Sequence, residues 1–153
     1  MVPEELKQFI GKVYPPHVRE VEKGAIRRFA DAVGDSNPLY HDEEYASKTR
    51  YRSMIAPPGF FGWPSKPVGS EAMMGLIMAL INSGFYRLLD GGIEYEFFLP
   101  VRAGDILIAS PKVKDVVEKE GKALMMICTF ETEYLNQNGD LVAKAVQTLI
   151  GRK

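Results

Sequence analysis

The last third of the chain alternates apolar and polar residues, and this two-residue period constrains the fold more than any other feature of the sequence. It predicts four strands, at residues 93–98, 105–117, 123–136 and 141–150. The Glu120-Gly121 and Asn138-Gly139 pairs between them are typical of hairpin turns. The last three strands are therefore expected to form an antiparallel meander.

One face of this predicted sheet should be buried. In the strand around Cys128 the apolar side chains share one face, whereas Glu131 and Glu133 share the other. A buried face needs a covering element, and the apolar run at residues 72–81 supplies one, within a helix expected over residues 71–85. We predict an α+β fold in which an antiparallel sheet wraps around a central apolar helix. Its core should include Cys128 and three methionines of the helix, Met73, Met74 and Met78.

Proline and glycine mark the irregular parts of the chain. A short helix is expected at residues 3–10, and Pro15-Pro16 should place a strand at residues 13–21 on a sheet edge, or interrupt it. Residues 55–64 should form a rigid loop or a very short helix, and residues 65–71 a flexible polar connection. Gly91-Gly92 is interpreted as a turn before a strand.

Residues 24–46 join two predicted helices through a short polar elbow. An apolar stripe runs at helical spacing from Ile26 to Val33, with Arg27 and Arg28 expected on the opposite side. Gly34 is placed to end this helix in a left-handed conformation.

The elbow itself is expected to be non-helical, because Asn37-Pro38 opposes an immediate restart. Asp42 is placed to cap the next helix by accepting a hydrogen bond from the Tyr45 backbone N–H. Chemistry is expected at the polar residues left between the two helices, which are Asp35, Asn37, Tyr40 and His41.

The elbow carries the run GDSNPL at residues 34–39, followed by Asp42 and Tyr45-Ala46. This pattern resembles the hydratase signature of MaoC-like, hotdog-fold R-specific enoyl-CoA hydratases and dehydratases. The resemblance continues in the family's order over most of the chain, through residues 54–58, 91–97, 100–101 and 104–105. It is greatest to the N-terminal, dehydratase-like half of the family, which in many proteins is fused or paired to a second hotdog with the complete catalytic pair.

The resemblance implies an aspartate and a histidine that share one water and add it across the double bond of an enoyl thioester. Asp35 matches the aspartate, and Asn37 matches the asparagine that shapes the loop. Tyr40 occupies the histidine's position, and His41 is displaced by one residue although Asp42 keeps its register. Because a general base must lie within roughly 2.6–3.2 Å of the group it serves, the catalytic pair is expected to be incomplete.

The segment that would polarise the thioester carbonyl departs from the family as well. The resemblance implies His-Gly after Ile-Ala, with the glycine N–H as donor, but this chain has Pro57-Pro58 after Ile55-Ala56. Proline has no N–H, and losing an oxyanion donor typically costs about 10²- to 10³-fold in rate. Gly59 can substitute only if the loop shifts by one residue. The candidate substrate-binding residues are Asn37, Tyr40, Pro57, Gly59 and Phe60, beside the candidate catalytic residues Asp35 and His41.

Each elbow residue also has a purely structural interpretation. Asp35 follows a helix-ending glycine, where an aspartate commonly bonds the backbone two residues on. His41 precedes a helix and suits a solvated position, and Tyr40 suits packing or hydrogen bonding.

Composition excludes several classes of function. With 153 residues and 46% apolar content, the chain suits one globular domain over residues 1–153. A net charge of -1 without runs of like charge argues against nucleic-acid and membrane surfaces. The single cysteine cannot form an internal disulfide, and no signal segment is evident at the N-terminus, so a cytoplasmic location is expected. Neither His17 nor His41 has a second ligand at metal spacing, and no glycine-rich nucleotide loop occurs, so neither a metal nor a cofactor is expected.

The leading hypothesis is a subunit of an R-specific enoyl-thioester hydratase or dehydratase that shapes the acyl-chain site for an acyl-CoA or acyl-carrier-protein substrate. We expect a homodimer, or a heterodimer with a catalytic hotdog subunit, because an open sheet edge beside apolar surface is rarely left unpartnered. Three alternatives remain open. They are a self-sufficient homodimeric hydratase that uses Asp35 and His41, a non-catalytic acyl-thioester binding module, and a hotdog thioesterase.

Overall fold

The computed structural model describes residues 1–60 and 71–153, which form four α-helices and five strands. The helices are α1 (Glu4–Lys7), α2 (Lys23–Ala32), α3 (Glu43–Ser47) and α4 (Glu71–Asn82). The strands are β1 (His17–Glu20), β2 (Arg87–Phe97), β3 (Ile106–Glu120), β4 (Leu124–Leu135) and β5 (Leu141–Arg152). The end of the predicted loop at residues 55–64 and nearly all of the predicted connection at residues 65–71 lie outside the described residues.

All five strands pair antiparallel in one sheet, in the order β1-β3-β4-β5-β2. The predicted four strands and the meander of β3, β4 and β5 are confirmed. The strand predicted at residues 13–21 shortens to β1, at the sheet edge, with a single bridge between Val13 and Lys112 before it. Proline cannot donate to a strand ladder, so Pro15-Pro16 interrupts the pairing as expected.

The prediction of a turn at Gly91-Gly92 is wrong, because both residues lie inside β2. The pairing with β5 shifts register between Asp90 and Gly92, which marks a β-bulge. A Cβ atom on Gly91 would come within 2.7 Å of the Thr148 Cγ2 atom. Glycine is needed here for close approach within the sheet, and a glycine pair of this kind resembles a turn in sequence.

Helix α4 covers the sheet as predicted. Its Leu76 and Leu80 are fully buried in a cluster with Met126 and Cys128 of β4, and a Cβ on Gly151 of β5 would lie 3.0 Å from a Leu80 methyl carbon. The helix and sheet therefore pack without space for one more carbon atom at that position.

The expectation that all three methionines are buried is wrong. Met74 and Met78 are 50% and 48% exposed, whereas Met73 is half-buried against the core. One helix on one sheet face can bury only one stripe, and Leu76 and Leu80 occupy it. The helix also ends at Asn82 rather than Phe85, because the Phe85 N–H donates to the Leu80 carbonyl at 2.8 Å around a left-handed Gly84.

A second core cluster places the elbow against the sheet. Ile26 and Ala30 of α2 are buried there together with Tyr40, Met54 and Phe60. The apolar stripe predicted from Ile26 to Val33 therefore packs against the core, except at its last residue. Val33 follows the last residue of α2 and is exposed.

Candidate functional site

The elbow begins where α2 ends. Gly34 adopts a left-handed conformation with φ of 71°, as predicted, and the Asp35 N–H donates to the Ala30 carbonyl at 2.9 Å. The Asp35 carboxylate then accepts from the Asn37 N–H at 3.0 Å. Asp35 therefore makes the local turn bond that its position after a glycine favours.

The expectation of a wholly non-helical elbow is wrong, because Pro38–Tyr40 form one turn of 3₁₀ helix. The Asn37 side chain caps it by accepting from the Leu39 N–H at 3.0 Å. Proline's fixed φ suits the first helical position, so Pro38 starts a turn here instead of only preventing one. Asp42 caps α3 through the Tyr45 N–H at 3.0 Å, as predicted.

Tyr40 and His41 are adjacent in sequence but lie in different environments. Tyr40 is 7% exposed and belongs to the buried cluster, whereas His41 is only half-buried. The His41 Nε2 atom lies 2.8 Å from the Asp35 carbonyl oxygen, and its Nδ1 lies 3.8 Å from an Asp31 carboxylate oxygen. A nitrogen this close to a carbonyl is the protonated one, so Nδ1 is the basic atom of the neutral ring.

Asp35 and His41 line one open pocket of about 440 Å³, which we call the elbow pocket. Two further carboxylates, those of Asp31 and Asp42, also line it, together with Gly34, Ser36 and Pro38. The structure thus brings the candidate aspartate and histidine together, in an exposed and acidic setting.

Tyr40 and Pro58 line a different cavity of about 700 Å³, which we call the aromatic groove. Among the described residues, two arginines and no acidic residue belong to its lining. The remaining lining residues are Tyr51, Ile55, Ala56, Phe97, Phe98, Leu99 and Pro100. Of the candidate site residues, Asp35 and His41 thus line an acidic cavity and Tyr40 lines a basic one. The others, Asn37, Pro57, Gly59 and Phe60, are not among the lining residues of either cavity.

The Pro57–Gly59 segment meets the elbow helix through aromatic packing. Phe29 of α2 and Phe60 contact each other edge to face, with ring centroids 5.9 Å apart. A Cβ on Gly59 would lie 3.7 Å from the Phe29 ring, and Gly59 has φ of 86°. Pro57 is buried, and the Gly59 N–H makes no hydrogen bond within residues 1–60 and 71–153. It is the candidate backbone donor near the groove.

Burial is the main reason that the pKa of Tyr40 is raised above its ordinary value, with smaller contributions from the Asp35 carboxylate and from Tyr51. The phenol therefore remains neutral and can donate a hydrogen bond, but it does not replace an imidazole as a base near neutral pH.

Arg27 connects helix α2 to the elbow and to helix α3. Its Nε donates to the His41 carbonyl at 3.2 Å, and its Nη2 lies 3.1 Å from Glu43. Lys23 also donates to Glu43, at 2.6 Å, and this bond, followed by the one from Arg27, lowers the pKa of that carboxyl. These bonds join α2 to α3 across the elbow.

Several groove residues were not predicted from sequence. They belong to two segments, one with Arg50 and Tyr51 and the other with Phe97 and Arg102. These segments are far apart along the chain, and no local pattern joins them. Among the described residues no group of three His, Cys, Asp or Glu side chains is placed to hold a metal ion. Within the same ranges, no helix has the length and apolar character required to span a membrane.

A family model described as "FAS1-like, dehydratase domain region" matches residues 8–145. The chain belongs to this family. A UPF0336 protein of Thermobifida fusca (strain YX) is 31% identical over 147 residues, which cover 95% of this chain and 93% of the relative.

Solved structures confirm the hotdog fold and the MaoC-like resemblance. A chain of the C-terminally truncated HadBC (3R-hydroxyacyl-ACP dehydratase) complex from Mycobacterium tuberculosis is 26% identical with a TM-score of 0.73, over 94% of this chain and 97% of that one. The (R)-hydratase from A. caviae involved in PHA biosynthesis is 21% identical with a TM-score of 0.70, over 92% and 94% of the two chains. The chain is thus a hotdog of the hydratase and dehydratase family.

Proposed function

We propose that this chain is one subunit of an R-specific enoyl-thioester hydratase or dehydratase, in which it forms part of the acyl-chain site as a single hotdog domain. A partner hotdog supplies the aspartate and histidine that activate water. The water adds across the double bond of the enoyl thioester to give the 3-hydroxyacyl thioester, and the reverse reaction releases it.

The observation that carries this proposal is the separation of Asp35 and His41 from the aromatic groove. The His41 Nε2 bonds the Asp35 carbonyl, and one oxygen of the Asp35 carboxylate accepts from the Asn37 N–H. A water held between these two side chains would lie in the open elbow pocket, which is lined by three aspartates and is a different cavity from the aromatic groove. A positioned base is effective only within hydrogen-bond reach of the reacting group.

The aromatic groove has the complementary properties. Its aromatic and aliphatic lining suits an acyl chain, and Tyr40 offers a neutral hydroxyl at the position where the family has its histidine. The Gly59 N–H is the candidate donor to the thioester carbonyl, because Pro57 and Pro58 have no N–H. The groove therefore supplies binding and hydrogen-bond donors, and the described residues that line it include no base suited to neutral pH.

The sheet edge supports association with a second hotdog. No strand of the described residues pairs with the outer edge of β2, which is 11 residues long. Met74 and Met78 of α4 are half-exposed. An open edge beside apolar surface favours pairing with another chain, and the HadBC dehydratase is itself described as a complex. We expect a two-fold homodimer in isolation and a heterodimer with the catalytic partner, burying about 2,000 Å² or more.

Hydration assays with reconstituted subunits test the proposal. The chain, a hotdog from a neighbouring gene with the complete Asp and His pair, and their mixture are each incubated with a short trans-2-enoyl-CoA while the enone absorbance is followed. We expect the mixture to be more active than either subunit alone. Replacing the partner's histidine with alanine should abolish this activity, whereas His41→Ala in this chain should not.

Other outcomes identify the alternatives. Turnover by the chain alone that is lost in His41→Ala would replace the proposal with a self-sufficient homodimer. Binding of acyl-CoA without conversion in every mixture would indicate a binding module, and release of free thiol would indicate a thioesterase. Light scattering tests the association separately, and a monomer at micromolar concentration would contradict it.

A further inference from the structure

The aromatic groove contains a localised positive charge that the composition does not explain. Arg50 and Arg102 both line it, although the net charge of the whole chain is -1. No carboxylate among the described residues forms an ion pair with either guanidinium, in contrast to Arg27, which is paired with Glu43. Two cations that share a cavity without an acidic partner are suited to an anionic ligand.

Tyr51 holds both arginines in place. The Arg50 Nη2 donates to the Tyr51 hydroxyl at 2.6 Å, and its Cζ lies 4.7 Å from the centre of the Tyr51 ring. The Arg102 Nε donates to the Tyr51 carbonyl at 3.0 Å. A guanidinium has five N–H donors, and each arginine uses one of them in these bonds, so most of their donors remain available to a ligand.

The backbone around Arg102 is also constrained. Arg102 forms an isolated bridge with Ile55, and its N–H donates to the Asp105 carboxylate at 2.7 Å. The Ala56 N–H donates to the Val101 carbonyl at 2.8 Å alongside this bridge. Hydrogen bonds thus join the two chain segments that line the groove, residues 55–56 and 101–102. Because these segments are already held in place, less conformational entropy is lost when a ligand binds.

The remainder of the groove is apolar. Phe97, Phe98 and Leu99 are consecutive, exposed and part of the same lining as the arginines. The cavity of about 700 Å³ lies within the range of roughly 300–1,000 Å³ that is typical of small-molecule sites. Charge and polarity together match a ligand in which an anionic group is attached to a long, largely uncharged chain.

We infer that Arg50 and Arg102 bind the phosphate of the pantetheine arm of an acyl thioester, with the rest of the arm directed along Phe97, Phe98 and Leu99. Guanidinium groups match phosphate oxygens bidentately, which favours this anion. The inference rests on the proposed function for the identity of the ligand. It adds that this subunit, through two arginines outside the elbow, holds the arm that carries the acyl group.

Direct binding to the full-length chain tests the inference. Three probes with the same saturated, unreactive acyl group are compared by calorimetry: acyl-pantetheine, acyl-phosphopantetheine and acyl-CoA. We expect the two phosphorylated probes to bind at least ~10-fold more tightly than acyl-pantetheine, because charge-assisted bonds to phosphate are the stronger class. This comparison needs no variant, so it does not depend on the folding of one.

Matched variants locate the contact. Arg50→Gln and Arg102→Gln should each weaken binding of the phosphorylated probes by ~10-fold and leave acyl-pantetheine binding nearly unchanged. Arg28→Gln is the control, because Arg28 is an exposed arginine of α2 that lines neither cavity. It should leave all three affinities unchanged.

Four results would overturn the inference. The first two are equal affinity of the chain for all three probes, and arginine variants that weaken the binding of all three probes equally. The third is an Arg28→Gln variant that weakens binding of the phosphorylated probes as much as the Arg50 and Arg102 variants do. The fourth is a higher affinity for acyl-CoA alone, which would assign the arginines to the nucleotide phosphates. Equal affinity for acyl-CoA and acyl-phosphopantetheine would assign the contact to the phosphate that coenzyme A and carrier proteins share.

The inference and the proposed function can fail separately. Phosphate-dependent binding without hydration in any subunit mixture would leave the inference standing and refute the proposed function. If the hydration rate of the subunit mixture at low substrate concentration is the same with Arg50→Gln or Arg102→Gln as with the unchanged chain, the inference is refuted and the proposed function stands.

Discussion

The elbow pocket and the aromatic groove meet at the Tyr40-His41 peptide, yet the chain builds them differently. The elbow depends on bonds between close neighbours in sequence, such as Asp35 to Asn37 and Asn37 to Leu39. The groove depends on distant ones, such as the bond between Tyr51 and Arg102, which are 51 residues apart. One cavity is therefore a product of local turn chemistry, and the other of tertiary packing.

The comparison also separates two chemical roles. The elbow pocket has an imidazole and three carboxylates, which repel a phosphate, whereas the groove has two guanidinium groups and an apolar lining. A hydratase needs a proton acceptor beside a bound acyl thioester. In this chain the candidate proton acceptors, Asp35 and His41, line one cavity, and the groove proposed to bind the acyl chain is another, which supports the proposed need for a partner.

The largest expected effect is a difference in stability between variants of two adjacent residues, Tyr40 and His41. Tyr40→Ala should lower the free energy of unfolding by about 3–5 kcal/mol, because it removes a buried aromatic ring. His41→Ala should cost about 0.5 kcal/mol, since the side chain is partly exposed and belongs to a surface loop. Urea unfolding measures both. Tyr40→Phe is the control for the ring, and equal losses for Tyr40→Ala and His41→Ala would contradict the assignment of Tyr40 to the core.

The next effect tests the local construction of the elbow. Gly34→Ala should destabilise the protein by about 1–2 kcal/mol, the cost of a left-handed conformation for a residue with a Cβ. No atom lies within 4 Å of the added Cβ, so backbone conformation alone is tested. Gly121→Ala in the β3–β4 turn is the matched control, because Gly121 has no positive φ and has space for the methyl group. We expect it to be neutral or slightly stabilising, and equal costs for the two variants would show that φ is not the cause.

Smaller changes are expected from the elbow's polar side chains. Asp35→Asn and His41→Ala should leave the activity of the assembled hydratase nearly unchanged, because the partner is proposed to supply the catalytic pair. Neither should lower stability by much more than about 0.5 kcal/mol, as is usual for surface loops. Enone hydration and urea unfolding are the two measurements. Abolished turnover in a chain that is active by itself would instead assign catalysis to the elbow.

The smallest effect concerns alkaline pH. The pKa of Tyr40 in the folded chain is raised above its ordinary value of 10.0, chiefly by burial. A group whose pKa is raised by folding stabilises the protein fully below its unfolded pKa, and this contribution falls as pH rises through the folded value. Stability should therefore decrease above pH 10, and Tyr40→Phe should reduce the slope of that decrease. Tyr45→Phe is the matched control, because it removes a tyrosine hydroxyl at an exposed position outside the core. It should leave the slope unchanged.

Sequence patterns predicted those parts of the molecule in which each residue's neighbours along the chain set its environment. The alternation around Cys128, the left-handed Gly34 and the Asp42 cap are all confirmed. The errors occur where a pattern has two structural outcomes. Gly91-Gly92 forms a bulge instead of a turn, and Pro38 starts a 3₁₀ turn.

By itself, then, the sequence determined the meander, the helix that covers it, the turn bond of Asp35 and the helix cap of Asp42, because periodicity and caps act over two to five residues. Only the tertiary structure decided that Tyr40 is buried while His41 faces the elbow pocket, and that Arg50 and Arg102 meet across Tyr51. The bridge between Ile55 and Arg102 brings these segments together. Such a contact is stabilised only after the sheet and its loops have packed, so it has no signature in the local sequence.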